Sequence, residues 1–138
     1  MRTVRRDQHR MVGAGRMVVD TLAPELAPRS ARRIVAGRCR DAGVGAECAA
    51  AAALLTSELV TNAVVHGRGQ VSLGVQAGDR CVRVEVGDDE PRRPEVKALD
   101  RDAEGGRGML LLDAMTSRWG VTGSGDGKLV WFELPSHP

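Results

Sequence analysis

The sequence predicts an α+β fold, a two-layer sandwich with helices on one face of a mixed, mostly antiparallel sheet. Three observations carry that expectation. The 21 residues 46–66 form an apolar stretch in which only Glu47, Glu58 and His66 can carry charge, as in a helix buried on most sides. Val71, Leu73 and Val75, and then Val82, Val84 and Val86, alternate with small or polar residues, which marks strands with one face on a core and the other in water. Ala77-Gly78-Asp79-Arg80 lies between them as a hairpin turn. Helices set against an antiparallel sheet form a two-layer domain.

The elements follow in chain order. Residues 1–15 read as a disordered basic tail, and residues 16–138 as one domain. Residues 16–22 fit an edge strand, and Pro24 and Pro28 punctuate a loop. Ser30 can cap a helix that Gly43 ends, with Ala31, Ile34, Val35, Arg38 and Cys39 giving its amphipathic pattern. Gly45 precedes the long helix from Ala46 to His66, whose Ala49–Ala53 run is the best helix-forming composition there is. Gly67 stops it. Residues 88–104 hold seven acids, four bases, Pro91 and Pro94. They read as a mobile loop, and loops that long in a compact domain are functional or disordered. Gly105-Gly106-Arg107-Gly108 opens a short helix from Met109 to Met115. Strands over 117–122 and 128–134 close the chain.

Composition narrows the function. The chain has 138 residues, 42% hydrophobic and 28% charged, with two Trp, one Phe and no Tyr. That suffices for a packed core and leaves few aromatic platforms for stacking bases. Arg2, Arg5, Arg6 and Arg10 against Asp7 give the first ten residues +3, while the rest is near neutral, so no nucleic-acid footprint is expected. Cys39, Cys48 and Cys81 lack the paired spacing of a zinc site and read as reduced thiols of a cytoplasmic protein. Arg16 and Asp20 interrupt the first apolar stretch, so no signal core is read there. No apolar run reaches ~18 residues without a charge, so no membrane span is expected.

Three places could carry chemistry. Glu58, Asn62 and His66 follow i, i+4, i+8 spacing, each offset by about 40° from the last, and form one polar stripe on an apolar helix. A carboxylate and an amide oxygen one turn apart suit a hard cation such as Mg²⁺, which completes its shell with water and phosphate oxygens. Spacing alone also fits a solvent-facing stripe. Asp88, at a strand end, can accept a hydrogen bond from an exocyclic amine, or simply stabilise a turn. Gly106, Arg107 and Gly108 enter a helix whose N-terminus and free N–H groups suit a phosphate. They also fit a plain loop-to-helix turn.

The combination is more specific than its parts. E-L-V-T-N-A-V-V-H-G (58–67), V-E-V-G-D-D-E-P (84–91), E-G-G-R-G-M-L-L-L (104–112), S-R-W-G-V (117–121) and G-K-L-V-W-F-E-L (127–134), in that order, resemble the Bergerat (GHKL-type) ATP-binding fold. Within that fold they resemble the small anti-sigma-factor serine/threonine kinases. The resemblance covers residues 16–134. It implies ATP and Mg²⁺ as ligands, with Asn62 on the metal and Glu58 as the base that takes a serine proton or orients a water. It implies that His66 contacts the phosphate end or lid, and that Asp88 binds the adenine amine. Gly106, Arg107 and Gly108 would line the phosphates beneath a lid at 89–104. It implies a sigma factor and a STAS-type anti-anti-sigma protein as partners, and a homodimer. Two positions depart from the family pattern: Asp88-Asp89-Glu90-Pro91 replaces a glycine-containing box, and Lys128 stands where a Thr is frequent. These departures keep open an alternative, a catalytically weak partner-switching module on the same fold.

Overall fold

A computed structural model describes residues 17–67, 69–90, 106–124 and 127–137. The expected basic tail therefore lies outside the described residues. Among the described residues three helices and five strands follow in the order β1 (Val18–Leu22), α1 (Ala27–Asp41), α2 (Ala46–His66), β2 (Val71–Ala77), β3 (Cys81–Asp88), α3 (Gly106–Met115), β4 (Arg118–Ser124) and β5 (Gly127–Pro135). The strands form one sheet in the order β1-β2-β3-β5-β4. Every pairing is antiparallel, so the expected α+β sandwich forms without a parallel pair among the described strands.

Period-two alternation decides which residues enter the core. Val71, Leu73 and Val75 of β2, Val82, Val84 and Val86 of β3, Val130, Phe132 and Leu134 of β5, and Trp119 and Val121 of β4 are buried on the helical side. Against them pack Ala31, Val35 and Cys39 of α1 and Ala52, Leu55, Leu59 and Val60 of α2. The alanines let α2 lie close to its neighbours. By length and composition α2 could cross a membrane; in the fold it is a core helix packed on α1, α3 and β3. Arg32 of α1 donates to Ser57 Oγ of α2 at 3.0 Å, and Arg38 ties α1 to Asp20 of β1 at 3.1 Å.

Some boundaries differ from expectation. A 3₁₀ turn, Pro24–Leu26, leads directly into α1 at Ala27, so Ser30 lies within the helix rather than capping it. Pro28 falls in the first turn, where its missing N–H breaks no helical bond. Gly43, at φ 73°, supplies the left-handed residue after α1. α3 begins at Gly106, ahead of the expected Met109. The chain end is fastened at Ser136. Its N–H donates to Arg80 O at 2.8 Å, its carbonyl accepts from Gly45 N–H at 3.0 Å, and its hydroxyl donates to Gly78 O at 2.5 Å.

The face of β3 expected in water is not there. Arg83 is 2% exposed, and Trp131 and Glu133 are fully buried. Arg83 pairs with Glu133 at 2.7 Å and Glu85 at 2.9 Å, and its guanidinium lies 4.2 Å from the centre of the Trp131 ring. Two carboxylates and an aromatic face make burial of this cation tolerable.

The three cysteines are free and buried. Burial, with Cys48 nearby, pushes the Cys39 thiol from 9.0 up to about 11; burial also raises Cys48 and Cys81. The unfolded thiol loses its proton where the folded one keeps it, so the unfolded state binds fewer protons between these two values. Stability is then expected to fall as pH rises from about 9 to about 11. Urea unfolding on either side of that window, in wild type and Cys39→Ala, checks this. The variant should lose part of the alkaline slope.

Candidate functional site

The site is built where α2 ends against the end of β3. Glu58 and Asn62 are half-buried and His66 is exposed, so the stripe runs outward along the C-terminal half of α2. Asn62 Oδ1 is buried and has no hydrogen-bond partner. Desolvating an amide oxygen without a partner costs about 1–3 kcal/mol, so this oxygen is a candidate to meet a water, an ion or a ligand. Neighbouring Thr61 has no such vacancy, since its hydroxyl donates to Ser57 O at 2.8 Å.

Gly67 explains how the two elements meet. Its N–H bonds to Ala63 O at 3.0 Å and closes the helix. A Cβ here would collide with that same carbonyl and lie 2.8 Å from Asp88 Oδ2. A glycine alone lets the helix end approach the carboxylate. Gly127 plays the same part on β5, where a Cβ would strike the Asp88 carbonyl.

Asp88 is the last residue of β3 and points to the helical side, two residues on from Val86. It is 8% exposed. Lys128, directly across from it on β5, donates to Oδ1 at 3.0 Å and Oδ2 at 2.9 Å. The Glu90 N–H donates to Oδ1 at 2.7 Å. The carboxylate is thus neutralised and held in one orientation.

The structure therefore brings Asp88 to the end of the helix that carries Glu58, Asn62 and His66. Gly106, Arg107 and Gly108 form the first turn of α3, which packs against α2; the Arg107 side chain lies outside the described residues. So does the expected lid, apart from Asp89 and Glu90. Two features were not read from sequence. Gly67 was read only as a helix stop, and its close approach to Asp88 has no local signature. Lys128 was read only as a departure, because its bond to Asp88 depends on β3–β5 register.

Among the described residues no three or more His, Cys, Asp or Glu are grouped to hold a metal. That is compatible with Mg²⁺, which takes one or two protein oxygens and fills its shell with water and phosphate. The orphaned Asn62 oxygen fits one such ligand.

No curated protein matches the sequence. Among solved structures, the RsbU and RsbW domains of Rv1364c from Mycobacterium tuberculosis superpose with a TM-score of 0.66 at 21% identity, over 86% of this chain and 32% of that one. The likeness establishes a shared fold, and this chain spans about a third of that protein. A model of the histidine kinase-like ATPase domain matches residues 21–134, a span that includes α2, Asp88 and both closing strands; the chain belongs to the histidine kinase-like ATPase family.

Proposed function

We propose that the chain is an ATP-binding regulatory serine/threonine kinase that phosphorylates a serine on a small anti-anti-sigma protein of STAS type and, in another state, sequesters a sigma factor. The observation that carries the site is the buried, unpartnered Asn62 oxygen, one helical turn from Glu58 on the helix whose end abuts Asp88. Asn62 would hold Mg²⁺, which would supply neutralisation of phosphate charge. Asp88 accepts a hydrogen bond from the exocyclic amine of adenine and fixes the base. Glu58 takes the proton of the attacking hydroxyl. The first turn of α3, at Gly106, Arg107 and Gly108, offers free backbone N–H groups to phosphate oxygens. His66, at the exposed end of the stripe beside Gly67, would contact the phosphate end or the lid. Phosphoryl transfer needs positioning and charge neutralisation above all, and this arrangement supplies both.

The Asp88–Lys128 ion pair favours one other reading, a partner-switching module that binds protein but turns over no ATP. Calorimetric titration of MgATP into wild type and Asp88→Asn separates the two. On the kinase reading wild type binds and the variant binds roughly 10- to 100-fold more weakly, the worth of a hydrogen bond to a charged group. No heat at millimolar nucleotide in wild type would leave the module.

A further inference from the structure

Resting on the reading of Asp88 as the amine acceptor, we propose that Lys128 is a built-in competitor for the base. Its ammonium occupies the Asp88 carboxylate, and its release sets the nucleotide affinity.

The geometry leaves little room for another donor. A lysine ammonium carries three protons. Two reach the Asp88 oxygens at 3.0 and 2.9 Å, and the third points to Glu90 O at 3.4 Å. Asp88 Oδ1 accepts a further bond from Glu90 N–H. The Asp88 side chain is 3% exposed and that of Lys128 10%. The Gly67 backbone stands against Oδ2, as the distance to a would-be Cβ shows. Cation, backbone amide and helix end together surround the carboxylate. An exocyclic amine brings a neutral donor to a carboxylate that already holds an ammonium, and the ammonium adds ion-pair attraction to its hydrogen bonds. Docking the base therefore means moving Lys128, and the freed ammonium loses its hold on Glu90 O, where the chain leaves β3. The competition is confined to the base, since the bonds of Asp88 and Lys128 involve neither Asn62 nor the first turn of α3.

The test uses the full chain, with Lys128→Thr and Lys128→Gln; the glutamine leaves a neutral donor for Asp88 should the threonine variant fail to fold. Titrations compare MgATP with magnesium tripolyphosphate, which has no base. Relief of the competition should tighten MgATP binding at least tenfold in a folded Lys128 variant and leave tripolyphosphate unchanged. Adding Asp88→Asn should abolish the gain. Unchanged or weaker MgATP binding in the folded variants would overturn the proposal. Weaker binding would make Lys128 a base-reading donor instead. An equal gain for tripolyphosphate would also overturn it, as a general charge or packing effect. The Asp88 reading fails separately, if Asp88→Asn alone binds MgATP as tightly as wild type.

Discussion

Replacing Arg83 with methionine is expected to lower the free energy of unfolding by about 3–5 kcal/mol, the usual cost of leaving one partner of a buried ion pair alone. Arg83 bridges Glu133 and Glu85 across neighbouring strands. Glu133 is fully buried, and its other cation, Arg118, reaches Oε1 only at 3.4 Å while 31% exposed. Without Arg83 a carboxylate stays in the interior with one distant, solvent-screened partner. Trp131 also loses the nearer of two guanidinium groups over its ring and keeps Arg118 at 5.7 Å. Against a total stability of roughly 5–15 kcal/mol, that loss is large. Urea unfolding of Arg83→Met, Glu133→Leu and the double variant would measure it. The double variant should be far less destabilised than the sum of the singles, since replacing a whole buried pair by apolar groups is close to neutral. Strict additivity would show that the pair is not coupled. The Arg38–Asp20 pair makes the contrast: its side chains are 30% and 37% exposed, and Arg38→Ala should cost about 1 kcal/mol or less.

The same network shows what a sequence discloses and what it withholds. Alternation in 82–86 says which residues share a face, and β3 obeys it. It does not say that the second face is wet. The buried partner of Arg83, Glu133, sits 50 positions away on β5. Order β3-β5-β4 makes the fourth strand, not the fifth, the sheet edge, and no local pattern fixes that. α2 was legible because a 21-residue apolar, alanine-rich segment has one stable form. The starts of α1 and α3 were not, because proline and glycine count against helix in any window, yet both are tolerated in a first turn. At the site, the stripe of Glu58, Asn62 and His66 follows from helical geometry. The solitude of the Asn62 oxygen and the grip of Lys128 on Asp88 are tertiary facts, set by how closely α2 approaches β3 and by which strand lies beside it.

Glu58→Gln should separate chemistry from binding. Glutamine keeps the length, the polarity and the helix preference of glutamate, so α2 and the Asn62 position one turn on should hold. It removes the negative charge and with it the capacity to take a proton. General-base catalysis contributes roughly 10²–10⁴-fold in rate, and the variant should lose that much ATP turnover, measured as phosphate release with water as acceptor, while MgATP affinity stays within about threefold of wild type. Asn62→Ala should differ in kind. It removes the oxygen proposed for the metal, so binding falls together with turnover, and the Mg²⁺ dependence of binding flattens. A Glu58→Gln protein that turns over ATP at the wild-type rate would take the base away from Glu58. Equal loss of binding in both variants would mean that the stripe acts as one anchoring surface with no division of labour. Only the split between them, turnover lost at one position and affinity at the other, fits a helix that holds a phosphate-bound cation one turn away from the group that activates the nucleophile.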